Sequence, residues 1–273
     1  MIQNVAEMMS HIFIQRAVLV GVLISLCAAL LGVSLVLKRY SMIGDGLSHV
    51  GFGVLTVATA LGYATPLYIA IPCVTISAII LLKIGNNSRI KSDSAIALIS
   101  SSALAIGVAA TSLSTGMNTD VCNFMFGSIL AMSQADVILS IIVSIIVAVL
   151  FIIYYRKLFV VTFDENFAKA SGLKANRYTN IIAVLTALII VVGMRMMGVM
   201  LISSIIIFPA LTSMRIFKSY KSVVISSAII SVVSFLMGIY LSYIYNISTG
   251  AMIVIVNLVL FILFSIIEKI IHD

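Results

Sequence analysis

Stretches of about 20 apolar residues recur along this chain with almost nothing polar between them. A bilayer core about 30 Å thick needs about 20 such residues for each helical crossing. No water is present there to satisfy backbone N–H and C=O groups, so each crossing must close its own hydrogen bonds as an α-helix. Nine segments fit, at about 13–37, 41–62, 66–83, 94–113, 135–155, 178–195, 197–214, 222–245 and 249–267. The expectation is an all-α polytopic membrane protein with about 8–9 transmembrane helices and one transmembrane domain over residues 1–273. Composition agrees, since 9% of the residues are charged against about 25% in a soluble domain.

The formal net charge of +7 could suggest a nucleic-acid partner, but the distribution of charge argues against one. Fourteen of the 16 Lys and Arg residues fall in or beside alternate loops, from Lys38 and Arg39 to Lys269, and only Arg16 and Arg195 fall on the other side. Excess positive charge marks cytoplasmic loops. The N-terminus is therefore expected outside and the C-terminus in the cytoplasm, with lipid around the spans and no nucleic acid. The first apolar stretch is too long for the core of a cleaved signal peptide. Cys27, Cys73 and Cys122 are isolated, with no CxxC pair, so they read as small apolar filler.

Two loops carry local patterns. In "VTFDENFAKASGLKANR" (161–177), Thr162 and Glu165 match a capping box and Gly172 suits the position after a helix end. A short helix fits between them, with Phe163, Phe167 and Ala170 on or near one face. It reads either as an ordinary interfacial helix or as a docking surface for a cytoplasmic partner. In "TDVCNFMFGSILAMSQAD" (119–136), a short or re-entrant outer helix is expected, and Ser133 with Asp136 matches a capping box for the fifth segment. Segments six and seven are separated only by "MRMMG", which makes one of them a candidate re-entrant or half-length helix.

The second segment holds the chemistry. In "GDGLSHVGFG" (44–53), Asp45 and His49 lie four residues apart and share a helix face. At 1.5 Å per residue they sit roughly 6 and 12 Å beyond the basic turn. An ionised aspartate at the bilayer centre costs about 2.5–3.5 kcal/mol on the lenient insertion scale. A divalent cation shared with His49 would compensate, and carboxylate with imidazole suits zinc, manganese or ferrous iron. The same spacing also suits a packing pair, bonded to each other or to Ser48. One chain offers two strong ligands; a two-fold homodimer would offer four. The glycines at 44, 46, 51 and 53 would let such helices approach closely.

Enzyme readings fare poorly. An aspartyl protease needs a second intramembrane Asp, whereas the other eight acids fall in loops or at segment ends. Ser48 and His49, as adjacent helix positions, point about 100° apart. HExxH and GxxxxGK[ST] are both absent. The methionines of "MRMMGVM" read as gap filler, with a soft-metal role as the alternative.

Taken together, these motifs resemble the permease subunits of bacterial ABC importers for zinc, manganese and iron. "KRYSMIGDGLSHVGFG" is similar to that family's second-span signature, and "FDENFAKASGL" to its cytoplasmic coupling helix. "RMMGVMLISSIIIFPALTSM", "STGAMIVIVNLVLFIL" and "DVCNFMFGSILAM" are similar to its later-span and outer segments. The resemblance implies a non-enzymatic permease in the bacterial plasma (inner) membrane, with Asp45 and His49 coordinating metal in the translocation path. It implies contact with a cytoplasmic ATP-binding subunit through Asp164, Glu165, Phe167, Ala168, Ala170 and Gly172. It further implies an extracytoplasmic metal-binding protein, a homodimer, and no cofactor, the metal being cargo. Ser101 stands where some zinc-importing relatives carry a histidine, so zinc, manganese and iron are not distinguished. The competing readings are an ion-coupled metal transporter or channel without an ATPase, and an ABC permease for a chelated metal.

Overall fold

The structure is a computed structural model that describes residues 10, 12–63, 65–87, 92–114, 125, 127 and 133–272. These form ten helices: α1 (Ile12–Leu37), α2 (Ser41–Ala60), α3 (Leu67–Asn87), α4 (Ser92–Leu113), α5 (Gln134–Phe163), α6 (Glu165–Ala170), α7 (Ala175–Met197), α8 (Val199–Ile216), α9 (Tyr220–Tyr245) and α10 (Thr249–His272). The described residues contain no strand. Eight helices are long and apolar enough to cross a membrane. α2 is the remaining long helix, and Asp45, His49 and its glycines lower its apolarity. It is enclosed by α3, α4, α7 and α8. His49 is thereby largely covered by protein, whereas the Asp45 side chain keeps an open side.

α1 lies at the centre, packed on α5, α7, α8 and α9. From Val20 onward it has no exposed residue and is apolar on nearly every side, as a surrounded helix must be, and Val20, Ile24, Ala28 and Val33 are wholly buried. α4, α5 and α10 lie outermost and expose large apolar side chains such as Leu98, Ile152 and Leu263.

The join between α7 and α8 is a single residue. Gly198 has φ +83° and ψ 160°, a region open essentially to glycine alone. It reverses the chain so that α8 folds back along α7 and Ile202 crowds Gly193. α7 has 23 residues and α8 has 18, so even α8 is about 27 Å long. The expected half-length helix is therefore corrected to a hairpin of two full-length helices.

The glycines of α2 also require a correction. A methyl on Gly53 would strike the backbone carbonyl of Ala103 in α4, one on Gly46 would meet Ile96, and one on Gly51 would meet Met194 in α7. These small residues seat α2 inside its own protomer rather than against a second copy.

The expected capping box for α5 is present. Ser133 N–H donates to Asp136 Oδ2 at 3.1 Å, and Asp136 N–H donates to Ser133 Oγ at 3.1 Å. The rest of the outer segment, apart from Met125 and Gly127, lies outside the described residues. With 30 residues, α5 is longer than expected. At about 45 Å it outruns the bilayer core and carries its last turns beyond it.

Candidate functional site

α1 ends in a backbone motif that fixes where α2 begins. Tyr40 N–H donates to Leu35 O at 2.8 Å and Arg39 N–H to Val36 O at 3.0 Å. This is a Schellman arrangement with Arg39, at φ 60°, in the left-handed position usually given to glycine. α2 starts at Ser41, and one turn later Asp45 and His49 share a face.

The two side chains are brought together as expected. His49 Nε2 stands 3.7 Å from Asp45 Oδ2, and the side chains are 26% and 44% exposed respectively. That separation is too long for a hydrogen bond. It suits two donors on one cation, each about 2.0–2.2 Å from it. His49 Nδ1 is buried with no hydrogen-bond partner among the described residues. Ser48 does not bind either side chain. Its hydroxyl donates to the Asp45 carbonyl at 2.7 Å and pairs with Ser203 Oγ of α8 at 3.2 Å. The described residues contain no group of three or more His, Cys, Asp or Glu side chains placed to hold a metal ion. One turn beyond His49, an apolar cleft of about 390 Å³ opens between α2, α3 and α4, lined by Val50, Gly53, Val57, Ile69, Cys73 and Ile106 among others. Ser101 is exposed on α4.

The second candidate region is α6. Its cap is Asp164, not Thr162. Phe167 N–H donates to Asp164 Oδ1 at 2.9 Å, whereas Thr162 lies inside the last turn of α5, with its hydroxyl buried and unbonded among the described residues. α6 ends in a second Schellman motif, with Leu173 N–H on Ala168 O, Gly172 N–H on Lys169 O, and Gly172 at φ +80°. Ala168 is fully buried against Val161 and Ala175. Phe163, Phe167 and Ala170 are exposed. Two elements of the sequence pattern therefore hold, the helix and its glycine stop, and the exposed side of α6 carries Phe167 and Ala170 beside Asn166 and Lys169.

Glu165, the first residue of α6, pairs with Lys169 Nζ at 2.9 Å and with Lys38 Nζ at 3.3 Å. Burial pushes its carboxyl up, but the two ammonium groups outweigh it and hold the carboxyl below the usual range. Lys38 had counted in the sequence only as a topology charge. Its side chain is 6% exposed, and it also donates to Thr179 Oγ1 of α7 at 2.8 Å. Burial lowers its pKa, partly offset by Glu165. Neither Thr179 nor Ser203 carried a sequence signal, because their partners lie 141 and 155 residues away.

The methionines behave as filler. Met194, Met196 and Met197 are buried, and Met200 is exposed.

The sequence pattern of the ABC 3 transport family matches residues 10–268. The chain is 32% identical over 215 residues to the manganese import system permease protein ScaB of Streptococcus gordonii, covering 78% of this chain and 76% of that one. It is 33% identical over 209 residues to the high-affinity zinc uptake system membrane protein ZnuB of Haemophilus influenzae, covering 76% and 79%. Among solved structures, PsaBC from Streptococcus pneumoniae in complex with Fab superposes with a TM-score of 0.86 at 30% identity, over 97% of this chain and 95% of that one.

Proposed function

The chain belongs to the ABC 3 transport family, and from that premise we propose that this multi-pass permease carries divalent zinc, manganese or iron past Asp45 and His49. ATP hydrolysis in such a system is the work of a separate ATPase chain. One observation carries the site: a carboxylate and an imidazole stand 3.7 Å apart on a helix packed among other spans, with the carboxylate open on one side.

The site is incomplete in one protomer. Two ligands leave a four-coordinate metal half bound. A metal-bound histidine ordinarily hydrogen-bonds through its other ring nitrogen, yet His49 Nδ1 has no partner among the described residues. A second copy about a two-fold axis supplies the missing donors. α6 docks the cytoplasmic ATPase through the exposed face of Phe167 and Ala170, with Asp164 and Gly172 fixing its two ends and Ala168 its base. An external metal-binding protein delivers the cargo, and the C-terminus is cytoplasmic.

The test is uptake of radiolabelled manganese and zinc, normalised to membrane-inserted protein. Asp45→Asn keeps the shape and removes the charge; His49→Ala removes the nitrogen. Each is expected to cut uptake at least tenfold with near-normal protein levels. Near-normal uptake by both variants would refute the site. Uptake that persists in ATP-depleted cells holding a proton gradient would favour an ion-coupled carrier.

A further inference from the structure

We propose that Lys38 is a positioning residue that carries movement of the docking helix α6 to the metal-site helix α2. This rests on the reading of α6 as the ATPase contact and of Asp45 with His49 as the cargo site.

Three elements meet on one ammonium group. Lys38 Nζ reaches Glu165 Oε2 at the start of α6 at 3.3 Å, and Thr179 Oγ1 near the start of α7 at 2.8 Å. The ring of Tyr40 lies 5.8 Å from the same nitrogen, within cation–π range. Because Lys38 is almost fully buried, water cannot substitute for these partners at low cost, and an ammonium without its carboxylate would be strongly disfavoured. When α6 shifts, Lys38 must either follow or lose its counter-ion.

Lys38 is also the cap residue of α1. The next residue, Arg39, sits at φ 60°, a conformation that costs a non-glycine residue free energy and persists only when its surroundings impose it. The turn 38–40 therefore has a conformation held partly from outside itself. α2 follows at once, with Ile43 N–H bonded to Tyr40 O, and Asp45 lies within the first two turns. The route from Glu165 through Lys38 and the 38–40 turn to Asp45 is contiguous, and it ends on the helix that carries the cargo ligands. A strained turn at an element boundary is the kind of place where a hinge absorbs backbone change.

The experiment uses the permease–ATPase complex in proteoliposomes with its external metal-binding protein, and reads radiolabelled manganese and zinc moved per ATP hydrolysed. Lys38→Met is expected to lower that ratio at least fivefold, with normal co-purification of the ATPase. Lys38→Arg, which keeps the cation, is expected to stay within twofold of the wild type. Glu165→Gln should lower the ratio by a similar factor, and Lys38→Met with Glu165→Gln should fall no further than the worse single variant, as two ends of one contact do. Glu165→Gln with Lys38→Arg carries the test where Lys38→Met accumulates poorly. A ratio within twofold of wild type in both Lys38→Met and Glu165→Gln overturns the proposal. So does multiplication of the two losses in the double variant, or release of the ATPase by Lys38→Met. Asp45→Asn is run alongside. If it transports normally, the reading of the cargo site has failed. If it is inactive while the Lys38 and Glu165 variants couple normally, only the present inference has failed.

Discussion

Of the three residues between Asp45 and His49, Ser48 is the one that ties this turn of α2 to a neighbouring helix. Ser48 is fully buried and joins α2 to α8 through Ser203 while also bonding the Asp45 carbonyl. Helix-to-helix hydrogen bonds inside membranes contribute about 0.6 kcal/mol on average. Ser48→Ala is therefore expected to lower the unfolding temperature of detergent-purified protein by a few degrees at most. It should reduce metal uptake far less than Asp45→Asn, because it removes a brace and not a ligand. An uptake loss equal to that of Asp45→Asn would place Ser48 in the path. Asp45→Asn should instead leave thermal stability unchanged or higher, since it removes the cost of an ionised carboxylate within the membrane. The pair itself was legible, because spacing i to i+4 fixes a shared face. Ser203 was not, because its meeting with Ser48 depends on the register between α2 and α8, which no local pattern encodes.

At the scale of elements, α6 shows how overlapping patterns compete. Thr162 to Glu165 and Asp164 to Phe167 both offer a cap three residues before a helical N–H. Asp164 prevails because α5 continues through Phe163 and buries Thr162 within it. The outer and inner faces of α6 give opposite predictions for one kind of substitution. Ala170→Asp, on the exposed face, should leave the protein folded and inserted but reduce co-purified ATPase several-fold. Ala168→Asp puts a carboxylate into the fully buried seat against Val161 and Ala175 and should loosen α6 itself, seen as rapid amide exchange over 165–170. Normal ATPase recovery from Ala170→Asp would remove that face from the docking surface. The attachment of α6 should also depend on pH. Glu165 has its carboxyl held below 4.5 in the folded protein. A carboxyl lowered on folding stabilises fully above its ordinary value, and that contribution is lost as pH falls through the folded value. The protection of the α6 amides relative to their intrinsic exchange rates should thus hold from neutral pH to about 4.5 and fall below it. Glu165→Gln should exchange faster at neutral pH and lose that acid-induced step.

For the whole molecule, all nine expected spans match long helices to within a few residues at most ends, because about 20 apolar residues leave a lipid-embedded chain no other hydrogen-bonded form. The end of α5 and the α7–α8 hairpin departed from expectation because they depend on where neighbouring helices lie, not on apolarity. The fold brings charges together at two opposite ends. Lys38 meets Glu165 and Arg215 meets Glu268 at one end, while Asp136 meets Arg195 at the other. The first end carries the basic loops, and the proposed orientation rests on the positive-inside rule. In a background with Cys27, Cys73 and Cys122 replaced, Asn176→Cys and Ser248→Cys place single thiols at exposed positions near opposite ends. An impermeant maleimide added to intact cells should label Ser248→Cys and not Asn176→Cys. Permeabilised cells should label both, which separates burial from sidedness. Labelling of Asn176→Cys from outside would invert the topology. It would also move α6 and its exposed Phe167 to the wrong side of the membrane for any cytoplasmic ATPase, so the docking assignment would fall with the orientation.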